Sequence, residues 1–221
     1  MNYTVDKIES IVEGRIFGHH NNSLVIKELL FDSRLIILPE NTLFFALKSQ
    51  RNDGNKYIKE LYSKGVRAFV VETLPDIAET VNDAVFILVK NTLQALQKVA
   101  ASHRNNFNIP IVGITGSNGK TIIKEWLYQI FSPEVSAIRS PKSYNSQIGV
   151  PLSVWQLNET HQIGFFEAGI SRPNEMQNLE EIIKPTIGIF ANIGEAHGKN
   201  FDNINNKVEE KLKLFRNVDT L

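Results

Sequence analysis

The sequence predicts an α/β protein of two domains, the second of them a mostly parallel sheet built around a phosphate loop. Three observations carry this. Short apolar runs alternate with helix-period segments. An Asn-rich stretch closed by proline, residues 103–110, interrupts the chain near its middle. Directly after it, a glycine-rich segment stands between an apolar run and an amphipathic one.

In the first half, Val5, Ile8, Ile11 and Val12 recur at helical spacing behind a Thr4 cap, with Gly14 as a stop. Strands are predicted at 24–26, 43–47, 66–71 and 84–89, and helices at 56–64, ended by Gly65, and at 92–104. The domain boundary is placed in the polar stretch, giving domains 1–108 and 109–221. The second half alternates regularly. Strands at 111–114, 135–139, 163–167 and 186–193 are interleaved with helices at 120–131, 147–156, 174–183 and 204–216, the signature of βαβ crossovers.

Composition narrows the function classes. Lys plus Arg and Asp plus Glu are both 24 in 221 residues, so no net charge favours nucleic acid or an anionic membrane, and any phosphate site must be local. The cysteine count of 0 removes disulfides, thiolate catalysis and Cys-ligated metals. The first residues lack a signal peptide's basic and apolar regions, and apolar runs such as 84–89 fall far short of the ~18 residues of a membrane span. The expectation is a cytoplasmic protein with no membrane insertion.

The segment Gly113-Ile114-Thr115-Gly116-Ser117-Asn118-Gly119-Lys120-Thr121 has the context of a P-loop. Small residues let backbone N–H groups surround phosphate oxygens at a helix N-terminus, Lys120 adds a positive charge, and the Thr121 hydroxyl can ligate Mg²⁺. Ile114 stands where the common pattern has glycine, so the spacing is a variant. A dinucleotide fold requires a different glycine spacing, and a GTPase would carry D-x-x-G, which the chain lacks.

Strand ends in such sheets face the ligand crevice. Glu167 ends an apolar strand, either completing a Mg²⁺ shell or merely solvated; His197, beyond the last strand, is either a ligand of a second metal or γ-phosphate, or a surface residue. His161 has only a surface reading. In the last helix Ile204, Val208, Leu212 and Phe215 read as the buried stripe, with Lys211 about 55° from its centre. Lys211 is then either a snorkelling lysine or an amine held near the metal site, where burial would let it form a carbamate with CO₂.

Taken together these segments resemble the Mur ligase family. In the first domain the resemblance rests on Asp32-Ser33-Arg34, Leu43-Phe44-Phe45-Ala46-Leu47-Lys48 and Arg51-Asn52-Asp53-Gly54. In the second it rests on the phosphate loop, Tyr144-Asn145-Ser146-Gln147-Ile148-Gly149-Val150-Pro151, Glu167-Ala168-Gly169 and Asn192-Ile193-Gly194-Glu195-Ala196-His197. It implies a small N-terminal domain for a UDP-linked substrate and a central ATP domain. Thr115, Gly116, Ser117, Asn118, Gly119, Lys120 and Thr121 would hold ATP, Thr121 and Glu167 a first Mg²⁺, and His197 a second. Lys211 falls where the family carries a carbamylated lysine; Asp32, Ser33 and Arg34 look like uridine-nucleotide contacts, and Asn145 like a substrate contact.

Ser49 and Asn55 depart from the family's glycine and histidine at those places. The implied activity is addition of D-alanyl-D-alanine to a UDP-N-acetylmuramoyl-tripeptide through an acyl phosphate, in peptidoglycan precursor synthesis. Other Mur-type ligases and a P-loop small-molecule kinase are the alternatives. The family's third domain does not correspond to any part of these 221 residues, so the chain resembles the first part of a longer ligase, of the form fused to alanine racemase in some bacteria, and by itself is expected not to turn over.

Overall fold

The computed structural model describes residues 3–18, 24–49, 52–194, 201, 203–218 and 220. They form two compact units, Met1–Val99 and Ala100–Leu221.

In chain order the first unit contains β1 (Tyr3–Thr4), α1 (Val5–Val12), β2 (Arg15–Gly18), β3 (Val25–Ile26), β4 (Glu28–Leu30), β5 (Thr42–Phe45), α2 (Ile58–Ser63), β6 (Ala68–Val71), β7 (Val85–Leu88) and the start of α3 (Thr92–Arg104). Thr4 caps α1, its hydroxyl accepting from Lys7 N. β1 and β3 make a small antiparallel ladder. The main sheet has the order β2-β7-β6-β5-β4, parallel except for β2 against β7. β5 and β6 are buried along their whole length, as expected of strands covered on both faces. In the core Phe69 stacks on Phe86 at 5.2 Å and meets Phe44 edge-on at 6.4 Å.

The second unit continues with β8 (Ile111–Thr115), α4 (Lys120–Phe131), β9 (Ala137–Arg139), α5 (Gly149–Trp155), β10 (Ile163–Glu167), α6 (Met176–Ile183), β11 (Ile187–Phe190) and α7 (Ile204–Leu212), which runs into a 3-10 turn at Lys213–Phe215. Its sheet, in the order β11-β8-β10-β9, is parallel throughout. The period of two along β10 separates its phenylalanines. Phe166 enters the core with Val150, Val154, Leu179 and Ile182, whereas Phe165 packs among Ile123, Leu127 and Tyr128 of α4. Because β10 and β11 flank β8, the C-terminal ends of all three lie side by side, where an open α/β sheet places its ligand.

Several boundaries differ from expectation. Strands β1, β2 and β4 are additional. The division falls at Val99/Ala100, inside α3, rather than in the polar stretch, because the last turn of α3 is built into the second unit. His103 Nε2 lies 2.9 Å from Leu157 O. Arg104 donates to Ile183 O (2.8 Å), Lys184 O (3.1 Å) and Phe107 O (2.5 Å), so a buried guanidinium caps the C-terminal carbonyls of α6. The stripe assigned to the last helix holds only in part: Phe215 is in the core and Val208 half-buried. Ile204 and Leu212 are exposed, while Lys207, Glu210 and Lys211 are buried. The helix turns this face to polar partners: Lys211 Nζ donates to Gly116 O, and Glu210 Oε1 accepts from Met176 N at the start of α6. Among the described residues no helix is long and apolar enough to cross a membrane.

Candidate functional site

The phosphate loop leaves β8 at Thr115 and enters α4 at Lys120. Two glycines permit its path. Gly116 has φ 148° and presses on the exit of β11, where a Cβ would come within 3.0 Å of Ala191 Cβ and Asn192 N. Gly119 has φ 80° and faces open space. The loop is fastened to the segment after β11. Ser117 N donates to Asn192 O (2.9 Å), Asn118 N to Asn192 Oδ1 (2.9 Å), and Ser117 Oγ exchanges hydrogen bonds with Gly194.

Two lysines bond to this loop and a third to the segment it is fastened to, from two helices. Lys120 Nζ donates to Gly116 O (2.9 Å) and Ser117 O (3.4 Å), Lys211 Nζ to Gly116 O (3.0 Å), and Lys207 Nζ to Gly194 O (2.5 Å). Burial lowers the pKa of Lys120, a shift opposed by Glu167 and reinforced by Lys207. Lys211 is pushed down to about 8, first by burial and then by the charges of Lys120 and Lys207. The amine on the last helix thus gives up its proton far more readily than an exposed lysine, although it is still mostly protonated at neutral pH.

At the mouth of the loop Thr121 Oγ1 donates to Glu167 Oε2 at 2.9 Å and lies 3.3 Å from Ser143 Oγ. Glu167 is fully buried. Its Oε1 takes no hydrogen bond among the described residues, and Lys124 Nζ stands 3.7 Å away. A buried carboxylate oxygen with free lone pairs, beside a hydroxyl, is a hard-oxygen donor set that fits Mg²⁺. Asn145 sits on the turn between β9 and α5, against Gly169: its carbonyl accepts from Gly169 N, and a Cβ on Gly169 would lie 2.9 Å from its Oδ1.

The Thr115 hydroxyl donates to Ala168 O at 2.9 Å and is fully buried, tying β8 to β10, which leaves its backbone to the loop. His197 lies outside the described residues. His161 belongs to a turn, its Nδ1 accepting from Asn158 N. Asp32, Ser33 and Arg34 are in the first unit. Asp32 caps a short 3-10 turn and is bound by Arg34 through Nε (2.9 Å) and Nη2 (2.6 Å), which holds its carboxyl below the usual range. Ser33 is buried and Arg34 exposed.

Residues 114–220 match the family described as the Mur ligase middle domain. The chain belongs to the Mur ligase family. It is 30% identical over 216 residues to the UDP-N-acetylmuramoyl-tripeptide–D-alanyl-D-alanine ligase of Bacillus subtilis, covering 97% of this chain and 46% of that protein. The Treponema pallidum protein of the same name is 34% identical over 192 residues, covering 84% of this chain and 41% of the relative. The structure superposes on MurF from Acinetobacter baumannii with a TM-score of 0.89 at 25% identity, over 99% of this chain and 47% of the other. It also matches MurF ligase from Thermotoga maritima in complex with ADP, with a TM-score of 0.77 at 28% identity over 91% and 47% of the two chains. The chain therefore spans just under half the length of the relatives it matches.

Within this Mur ligase chain, sequence reasoning overlooked Lys124, Ser143 and Lys207, and gave Asn192 no role of its own. Each acts through a partner far along the chain, so no local motif carries it. Position offered one hint: Lys124 lies one helical turn after Lys120, on the same face of α4 as the phosphate lysine.

Proposed function

We propose that the chain is the nucleotide- and UDP-substrate-binding part of an ATP-dependent carboxylate–amine ligase. Its reaction adds D-alanyl-D-alanine to UDP-N-acetylmuramoyl-tripeptide in peptidoglycan precursor synthesis, and its compartment is the cytoplasm. One observation carries the reading: the buried Glu167, paired with the half-buried Thr121, stands at the mouth of a loop braced by Lys120 and Lys211. The relatives' names supply the substrates.

The chemistry follows from charge. A tripeptide carboxylate must attack the γ-phosphorus of ATP, anion on anion, to give an acyl phosphate and ADP. The dipeptide amine then attacks the acyl carbon, an amide forms, and phosphate leaves. Lys120, at the start of α4, offers its ammonium to the phosphates together with the helix N-terminus and the loop amides. Thr121 and Glu167 would hold Mg²⁺, which when bound neutralises phosphate charge. His197 would hold a second ion. Lys211 as a carbamate would present an anion beside Gly116. Asn145, fixed against Gly169 next to Glu167, is suited to orient the substrate's acyl end, while Asp32, Ser33 and Arg34 would take the uridine nucleotide.

Calorimetric titration of this chain with UDP-N-acetylmuramoyl-tripeptide tests the assignment. Binding weakened by Arg34→Ala is the expected result; no binding by a sample that still takes up MgATP overturns the substrate. ADP release that does not depend on an amine acceptor, measured in the longer ligase, would identify a kinase instead.

A further inference from the structure

Lys124 is fully buried, yet it carries a charge into the densest part of the site. Three groups from three elements meet its ammonium. They are Glu125 Oε1 on α4 at 3.1 Å, Glu167 Oε1 at the end of β10 at 3.7 Å, and the carbonyl of Lys142, a residue held at φ 49° on the turn after β9. Glu125 is already balanced by a second cation, since its Oε2 accepts from Arg139 Nε at 2.8 Å, and its side chain is 31% exposed. Glu167 is fully buried and its described partners include no other ion pair. Lys124 therefore divides its charge between Glu125, the nearer partner, and Glu167, which no second ion pair among the described residues balances. At 3.7 Å the contact is Coulombic rather than a hydrogen bond, which leaves the lone pairs of Oε1 open.

We infer that Lys124 is a resident counter-ion of the Glu167 carboxylate, lowering the site's affinity for a free divalent cation so that the metal is taken up with the nucleotide. This rests on the reading of Glu167 as a Mg²⁺ ligand. Two cations sharing one buried carboxylate repel each other strongly where water screens little. The phosphates of a nucleotide bring enough negative charge to offset that repulsion, whereas a bare ion brings none. Lys124 acts through Glu167 and is a positioning residue; the turn it holds at Lys142 also carries Ser143 to within 3.3 Å of Thr121.

The test is the sign of a binding change. Mn²⁺ is titrated into the chain without nucleotide and followed by the loss of the free-ion electron paramagnetic resonance signal. Lys124→Met is expected to bind Mn²⁺ at least about tenfold more tightly than the wild type. Unchanged or weaker binding by a folded variant, which is what a purely structural lysine would give, overturns the inference. Glu125→Gln covers the case in which Lys124→Met fails to fold. It leaves the ammonium to Glu167 alone, so the Mn²⁺ concentration that half-saturates the ATP-bound chain should rise several-fold; no rise or a fall overturns the inference. Adding Glu167→Gln to Lys124→Met separates the two ideas. Loss of the tightened site places the ion on Glu167, whereas its survival means that Glu167 is not the ligand and the underlying assignment fails.

Discussion

A buried amine with a lowered pKa becomes a nucleophile only a little above neutral pH, and Lys211 is such an amine. Its pKa falls from the usual 10.5 to about 8 because burial and the ammonium groups of Lys120 and Lys207 all disfavour a further charge. Below about 8 the amine is protonated and unreactive; above it, the free amine can add CO₂ and lose a proton to give a carbamate. The carbonyl ¹³C resonance of a carbamate, in a sample equilibrated with labelled bicarbonate, should therefore grow as pH rises through 8 and be missing from Lys211→Met. A signal that ignores this window, or survives the substitution, contradicts the assignment. Lys120→Ala should weaken MgATP binding by at least about tenfold, because the lost charge faces the phosphates; unchanged affinity in a titration would contradict the loop reading. These two lysines differ in how they can be read from the chain. Lys120 follows a glycine run that only a tight loop explains, so a local pattern suffices. For Lys211 helix geometry leaves two readings open and the resemblance chooses between them, since an amphipathic analysis assumes an apolar neighbour and α7 instead faces loop carbonyls.

Elements were more legible than their ends. α3 and α4 span the residues expected, because each keeps a helical period over 12 residues or more between clear breaks. α7 gives way to a 3-10 turn at Lys213, and α5 starts only at Gly149, since the turns around them are fixed by distant partners. The strands β1, β2 and β4 are too short for any alternation to stand out, and their pairing with Val25–Ile26, β7 and β5 is what defines them. The junction of the phosphate loop with the exit of β11 is a contact between elements, and it depends on Gly116. Gly116→Ala would place a Cβ at 3.0 Å from Ala191 Cβ and Asn192 N, on a backbone at φ 148° that L-residues avoid. A loss of about 1–3 kcal/mol in thermal or denaturant unfolding is expected, together with weaker nucleotide binding as the loop is levered away from Asn192. Full stability with normal binding would show that the junction tolerates displacement.

On the scale of the whole molecule, the division inside α3 has a consequence for how the second unit can be separated. A chain cut at the polar stretch, beginning at residue 109, loses both His103 and Arg104. Arg104 is 6% exposed, and its guanidinium serves three backbone carbonyls, two of them at the C-terminal end of α6. Without it the carbonyls of Ile183 and Lys184 lose their charged donor, a loss of about 3 kcal/mol. Phe107 and Ala100, which belong to the same core as Val154 and Leu179, would go as well. A chain beginning at residue 92 keeps the whole helix and these contacts. It should show cooperative unfolding and bind MgATP, whereas the chain from residue 109 should melt far lower or not fold at all. In the longer version Arg104→Met alone should reproduce much of that loss without changing the phosphate site, because no described bond of Arg104 reaches the loop at residues 116–121. Equal stability of the two chains would mean that the Asn-rich stretch is the true boundary and that the last turn of α3 is dispensable to the nucleotide-binding unit.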